Sequence, residues 1–433
     1  MKYVSNQTSK KYLVISLFLW LMLWGGYNTG IGRLIAPGFP NGALDLFHGL
    51  RAFLPPVAAY LAIIMLLTRH SLSLQFFKGS LGLLVFYAIF GIFSSIFLSL
   101  EPLIALYWAI QYVSVLIVLW SIFSTPNPSA VFSRLIIINW IIAAIITVGL
   151  FAFLVFKTGI NPLATFGDFL AGGRPYEGIG GIGAGVETLG MPGTRPTGLG
   201  RYAGVAALGA LAMLWRGKKW GEKTILLLLF FFFLFILVFS RGRANILAFV
   251  AGAIVILRLH KGRKIFFVSV IFIMFLLLLL GLTGFYQAFW TYLIEKMPFV
   301  FTLSGRTTGV WPEGWRLFLS SPLLGYGFHA DRIFLEGQHM HNALLHAFTQ
   351  AGIIGGILFV AALISVWISI MHIYRGPKER HFSLLLEIPA LVAFFTVLSI
   401  TESTFAFYGA VWLFSAPLFA YIQCQKRLRK GVM

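Results

Sequence analysis

"TILLLLFFFFLFILVFSRGRANILAFVAGAIVILRLH" (224–260) is the stretch that decides the fold. Two apolar runs, 225–240 and 244–258, flank a tip made of Arg241, Gly242 and Arg243. Runs of about this length cross the hydrocarbon core as helices. A helix also satisfies its own backbone polar groups, which lipid cannot do. The tip leaves no room for a hydrated loop, so the two runs read as a tight helical hairpin in a membrane.

The same pattern recurs on either side. Candidate spans lie near 13–30, 52–67, 80–100, 103–123, 135–156, 199–215, 225–240, 244–258, 265–284, 343–371, 384–401 and 405–423. The pair covering 80–123 predicts a second tight hairpin. The second span carries "LPP" (54–56), which predicts a kink, since proline removes a helical hydrogen bond. Composition agrees: 59% of residues are hydrophobic, only 11% are charged, and mean hydropathy is +0.89. A water-soluble domain has about a quarter of its residues charged. The expected fold is an all-α polytopic membrane protein of about twelve transmembrane helices.

Lysine and arginine in the loops set the orientation. With both termini in the cytoplasm, that side collects 21 of the 33 basic residues against two loop acids, Glu222 and Glu379. The net charge of +20 is therefore a topology signal and not a nucleic-acid footprint. No small-residue cleavage site follows "LWLMLWGGYNTG" (19–30), so the first run reads as a retained span. The single Cys424 excludes an internal disulfide.

Five regions follow: spans one to five (1–156), a Gly-rich outer loop (157–198), spans six to nine (199–284), a large outer loop (285–342), and the last three spans with a basic tail (343–433). The large loop mixes aromatics with charge and predicts a cap of short interfacial helices on the outer face. "GIGGIG" (178–183) matches the dinucleotide fingerprint only nominally, because neither the strand nor the helix that the motif requires flanks it.

Polar residues with chemical potential crowd the outer face. Arg195, Arg241, Arg243 and Arg306 each sit beside Gly, Ser or Pro. Arginine at membrane depth is costly unless it faces water or a partner. Acids are sparse nearby, so a mobile anion is the natural partner, and guanidinium grips phosphate in bidentate fashion. The second cluster is "GQHMHNALLHAFTQAGIIGG" (337–356), with His339, His341 and His346. Their spacing does not match the i, i+4 pairs of helical zinc sites, although Asp331 and Glu336 lie near in sequence. His341, just before Asn342 and the start of an apolar span, is the candidate general base. His339 and His346 read as polar residues supporting an interfacial helix start. Glu402 is a candidate to orient an arginine or the histidine, and Asn342 to hold the imidazole or the acceptor.

The order R-P-T-G-L (195–199), S-R-G (240–242), G-R with a following Trp (305–311), "SPLLGYGF" (321–328), "HNALLHAFTQAGIIGG" (341–356) and "TES" (401–403) resembles the bacterial O-antigen ligase and O-antigen polymerase superfamily of glycosyltransferases. The resemblance covers roughly 190–415, and "SPLLGYGF" followed closely by H-N-x-x-L is its specific part. It implies a GT-C-like helical bundle in the bacterial inner membrane with its active site facing the periplasm. It also implies transfer of a polysaccharide from an undecaprenyl-pyrophosphate donor to a lipid A-core acceptor (ligase) or to another lipid-linked repeat unit (polymerase). Twelve spans with one large cap favour the ligase.

On this reading His341 is the base, Arg241 and Arg306 stabilise the pyrophosphate, and Arg195, Arg243, Asn342, His339 and Glu402 bind substrate. No metal or cofactor is required, because guanidinium groups neutralise the leaving group. A lipid-linked sugar flippase is the alternative of another class. It would need charge along the interior of its spans. Here only Glu387 stands out there.

Overall fold

The computed structural model describes residues 2–27, 42–68, 72–158, 196–216, 219–240, 242, 244–259, 306–335, 337–375, 384 and 386–428. Every regular element among these residues is helical. In chain order the helices are α1 Lys2–Gly25, α2 Ala43–Leu50, α3 Leu54–Thr68, α4 Ser80–Phe97, α5 Pro102–Phe123, α6 Pro128–Thr158, α7 Pro196–Arg216 and α8 Trp220–Phe239. They continue with α9 Ala244–Leu259, α10 Trp311–Ser320, α11 Ala330–Phe334, α12 Ala343–Arg375, α13 Glu387–Leu398 and α14 Ala410–Leu428.

Seven of the described helices are long and apolar enough to cross a bilayer, and three shorter apolar helices accompany them. Among the described residues the protein is thus all-helical, with the helices of a multi-pass membrane protein. The expected span at 265–284, the Gly-rich loop and the first part of the large loop lie outside the described residues. So do Arg195, Arg241, Arg243 and Glu336. Along α4 the outward positions Phe86, Ile89, Phe93 and Phe97 are large and apolar. A helix apolar all round is built for lipid rather than water.

The expected kink at "LPP" is not there. Arg51–Phe53 forms a 3-10 turn, and Pro55 and Pro56 then fall in the first turn of α3. Those positions have no intrahelical acceptor to lose, so proline starts the helix instead of bending it.

The chain divides into two compact units. The first contains residues 1–139, 311–383 and 399–433. Its core is aromatic: Tyr112 stacks on Trp412 with centroids 4.9 Å apart, and Tyr87, Phe328, Phe359 and Trp20 are fully buried. Asn139 is a buried polar tie. It accepts the indole N–H of Trp20 at 2.8 Å and of Trp24 at 2.9 Å, and donates to Leu413 O at 2.8 Å. The second unit contains residues 140–310 and 384–398. There α7 presents small residues to its neighbours, and the Trp140 indole donates to Ala206 O at 2.9 Å. Glu387, the lone charge expected within a span, pairs with Arg216 at 2.6 Å.

One feature of the first unit positions everything downstream. α12 is broken at Ala351 (φ −128°, ψ 15°) and Gly352 (φ 63°, ψ −166°). The loop "SPLLGYGF" fills the break. Tyr326 N donates to Thr349 O and Gly327 N to Gln350 O, each at 2.8 Å, and Ile353 N donates to Pro322 O at 2.7 Å. The carbonyls freed by the kink are thereby satisfied, as buried backbone groups must be. The approach is so close that a Cβ on Gly352 would sit 2.1 Å from Leu323 O. The same loop is fastened to α4, where Phe328 N donates to Ser95 Oγ at 2.9 Å.

Candidate active site

The site lies in the first unit, at the start of α12. Asn342 is the N-cap: its Oδ1 accepts from Leu345 N at 2.9 Å, and its Nδ2 donates to Ile400 O at 3.2 Å. Asparagine is among the strongest N-caps because its side chain satisfies an orphan helical N–H. Each end of the amide thus makes one backbone hydrogen bond and keeps one further site, a lone pair on Oδ1 and an N–H on Nδ2. Ala343 N donates to Ser399 O at 3.0 Å, which brings the "TES" turn (401–403) against the helix start.

His341 precedes the cap in the left-handed region, at φ 51°. A non-glycine residue there costs about 1–3 kcal/mol and persists only where its surroundings over-determine it. The surroundings are clear. On one side Met340 O accepts the Trp311 indole N–H at 3.0 Å and Met340 N donates to Asp331 Oδ2 at 3.2 Å. On the other side stands the Asn342 cap. The turn aims the His341 ring at Glu402, with Nδ1 3.2 Å from Oε2. Both side chains are partly open, at 27% and 14% exposure. A carboxylate on Nδ1 fixes the tautomer and leaves Nε2 as the basic nitrogen.

Beside this pair stands a second one. His339 Nδ1 lies 2.6 Å from Asp331 Oδ2, and its ring centroid is 4.8 Å from that of His341. His346 Nε2 is 3.3 Å from Asp331 Oδ1. His346 is buried, not interfacial as its sequence position implies, because α11 delivers Asp331 into the interior next to it. Asp331 is only 1% exposed. Burial pushes its carboxyl up, but the neighbouring His346 and hydrogen bonds from His339 and His346 outweigh that and hold it well below the usual carboxylate range. Donor atoms of Asp331, His339 and His346 lie within 4.8 Å of one another, as do those of His339, His341 and Glu402. Just outside the cluster, His329 stacks on Trp108 with centroids 4.9 Å apart, and burial pulls its pKa down to about 4.

Asp331 is the residue that sequence reasoning undervalued. Its only signal was an acid in an aromatic loop followed closely by three histidines. Of the predicted residues, the structure brings together His339, His341 and Glu402. Arg306 belongs to the second unit, where it opens a turn of π geometry, Arg306–Val310. The described neighbours of the hairpin tip also belong to that unit. Gly200, five residues after Arg195, packs so closely on Ser240 and Asn245 that a Cβ there would meet the Ser240 hydroxyl at 2.2 Å. The start of α7 and the end of α8 at Ser240 are thus neighbours.

Residues 228–360 match the family model described as O-Antigen ligase. This segment is similar to that family. The match takes in Arg241, Arg243, Arg306, the "SPLLGYGF" loop, His339, His341 and the kink of α12, and it stops before Glu402. No curated protein matches the chain. The O-antigen ligase match supports a glycosyltransferase of the ligase or polymerase type, acting on lipid-linked glycans in the membrane.

Proposed function

We propose that this protein is an O-antigen ligase. It transfers a polysaccharide from undecaprenyl pyrophosphate to a hydroxyl of the lipid A-core on the periplasmic face of the inner membrane. The observation that carries the reading is the His341–Glu402 pair, aimed by a left-handed turn at the end of the segment that matches the family.

The chemistry balances without an outside energy source. The acceptor oxygen attacks the anomeric carbon while the bond from that carbon to the pyrophosphate oxygen breaks, inverting the centre. His341 Nε2 takes the acceptor's proton, and Glu402 stabilises the imidazolium that results. Base catalysis of this kind contributes about 100- to 10,000-fold. The electron pair leaves on the pyrophosphate, whose growing charge calls for preorganised cations. Arg241 and Arg306 are assigned that role from sequence, and Arg195 and Arg243 a part in binding the substrate. His339 and Glu402 support the base, and no resident metal enters a step.

The test uses purified protein in nanodiscs with an undecaprenyl-pyrophosphate glycan, lipid A-core acceptor and EDTA. Glycan on lipid A-core, lost in His341→Ala, is the expected result. Lengthening of the glycan on its polyprenyl carrier would make the protein a polymerase. Full activity in His341→Ala would end the base assignment.

A further inference from the structure

Asp331 lies outside the reaction just described, yet its carboxylate is heavily engaged. Its Oδ2 accepts from His339 Nδ1 at 2.6 Å and from Met340 N at 3.2 Å, while His346 Nε2 approaches Oδ1 at 3.3 Å. These donors come from both sides of His341 in the chain, two just before it and one five residues after. One buried carboxylate therefore grips the two ends of the turn that holds the base.

The grip is backed by a buried polar chain. The Gln350 side-chain amide stands 2.8 Å from His346 Nε2 and also contacts the Tyr87 hydroxyl, which lies 2.9 Å from Ala406 O. Proton counting fixes the directions. An amide N–H pointed at His346 Nε2 would make that nitrogen an acceptor, with its lone pair facing the Asp331 carboxylate. Turning the amide over removes the conflict, and amide oxygen and nitrogen are assigned by such networks. Tyr87 then donates to Ala406 O, Gln350 donates to Tyr87, and His346 Nε2–H donates to Gln350 and Asp331. His346 Nδ1, buried without a partner, is then a bare lone pair rather than a stranded N–H. Each of these hydrogen bonds then has one donor and one acceptor, and the lone pairs of Asp331 that face the cluster are taken by N–H donors.

We infer that Asp331 is a positioning residue for the transfer reaction. Through His339, Met340 and His346 it locks the turn in which His341 meets Glu402, and it fixes the tautomer of His339 beside that ring. The inference rests on His341 being the base, but its structural half can be read without activity. The same donors could instead hold a divalent cation. That arrangement would require the N–H protons on His339 and His346 to leave, and the filled carboxylate speaks against it.

The experiment compares Asp331→Asn, His339→Gln and the double variant in nanodiscs. Each single variant should lower kcat about 10- to 100-fold, with KM for donor and acceptor held within about twofold. The double variant should fall no further than the lower single, because both remove the same link. Labelling with diethyl pyrocarbonate, read residue by residue by mass spectrometry, gives an independent readout. His339 should react several-fold faster in Asp331→Asn and unchanged in Glu402→Gln. Unaltered kcat, additive losses or unaltered His339 labelling would each overturn the inference. Loss of activity in EDTA with recovery on adding zinc would replace it with a metal site. Should His341→Ala stay active while His339 labelling responds as stated, the base assignment fails and the Asp331 lock stands.

Discussion

Replacing Gly352 by alanine tests the joint on which the site is built. At φ 63° and ψ −166° the residue occupies a region that is essentially glycine-only, so a side chain costs about 1–3 kcal/mol in backbone strain alone. The new Cβ would stand 2.1 Å from Leu323 O and 2.4 Å from Leu324 N, both backbone atoms that no rotamer change can move. Relief requires the "SPLLGYGF" loop to back out by more than an ångström. That breaks the bonds from Tyr326 N to Thr349 O, Gly327 N to Gln350 O and Ile353 N to Pro322 O. At about 1 kcal/mol for each hydrogen bond, the total is ~4–6 kcal/mol, a large share of a typical folding free energy. The thermal unfolding midpoint in detergent should therefore fall well below that of the wild type. Gly149→Ala serves as control: nothing lies within 4 Å of its Cβ, so removing a helical glycine should be neutral or mildly stabilising. A Gly352→Ala midpoint within a degree of the wild type would refute the inserted loop.

Three further outcomes are expected. Glu402→Gln should lower kcat about 10- to 30-fold, the effect of one hydrogen bond to a partly exposed charge, and a transfer assay at saturating substrate reads it. Acidification should destabilise the fold through His329, whose pKa of about 4 lies below the ordinary 6.5. Between those values the unfolded chain carries the extra proton, so the stabilisation is complete above pH 6.5 and fades as pH falls towards 4. Two and a half units at 1.36 kcal/mol each give ~3 kcal/mol, and His329→Gln should flatten that part of a stability-versus-pH curve. Finally, Arg216→Ala strands the Glu387 carboxylate, which is 4% exposed, while Arg216 itself is 46% exposed. The expected cost is about 1–3 kcal/mol, mostly recovered in Arg216→Ala/Glu387→Gln and read as a midpoint shift; a double variant no better than the single would contradict it.

The helices were legible because lipid imposes one rule on every span, and a long apolar run can obey it only by coiling. Tight turns were legible for the same reason: four residues, 98–101, join α4 to α5, and Pro102 begins the second helix. "LPP" misled because proline carries two opposite meanings, breaker inside a helix and starter at its first turn. Only the register decides between them. The broken α12 was harder still. "TQAGIIGG" holds three glycines on an apolar run, and nothing local says that Gly352 rather than its neighbours turns left-handed. That choice is made by a loop beginning some thirty residues earlier, which supplies and accepts the missing hydrogen bonds.

The site divides along the same line. His341 could be singled out by its place at a span's edge, and Glu402 by being an acid near a helix end. Each of those signals is local. Asp331 carries its meaning in contacts eight, nine and fifteen residues away, and one of its partners, His346, lies inside α12. A histidine with no acid at i ± 3 or 4 reads as a surface ring. Yet a histidine buried beside a carboxylate that accepts its proton is a fixed donor, and fixed donors are what hold a catalytic turn in a strained shape. The same three histidines thus fall into different classes, one poised by Glu402 and two bound to Asp331. It is their carboxylate partners, more than their spacing, that set His341 apart from His339 and His346.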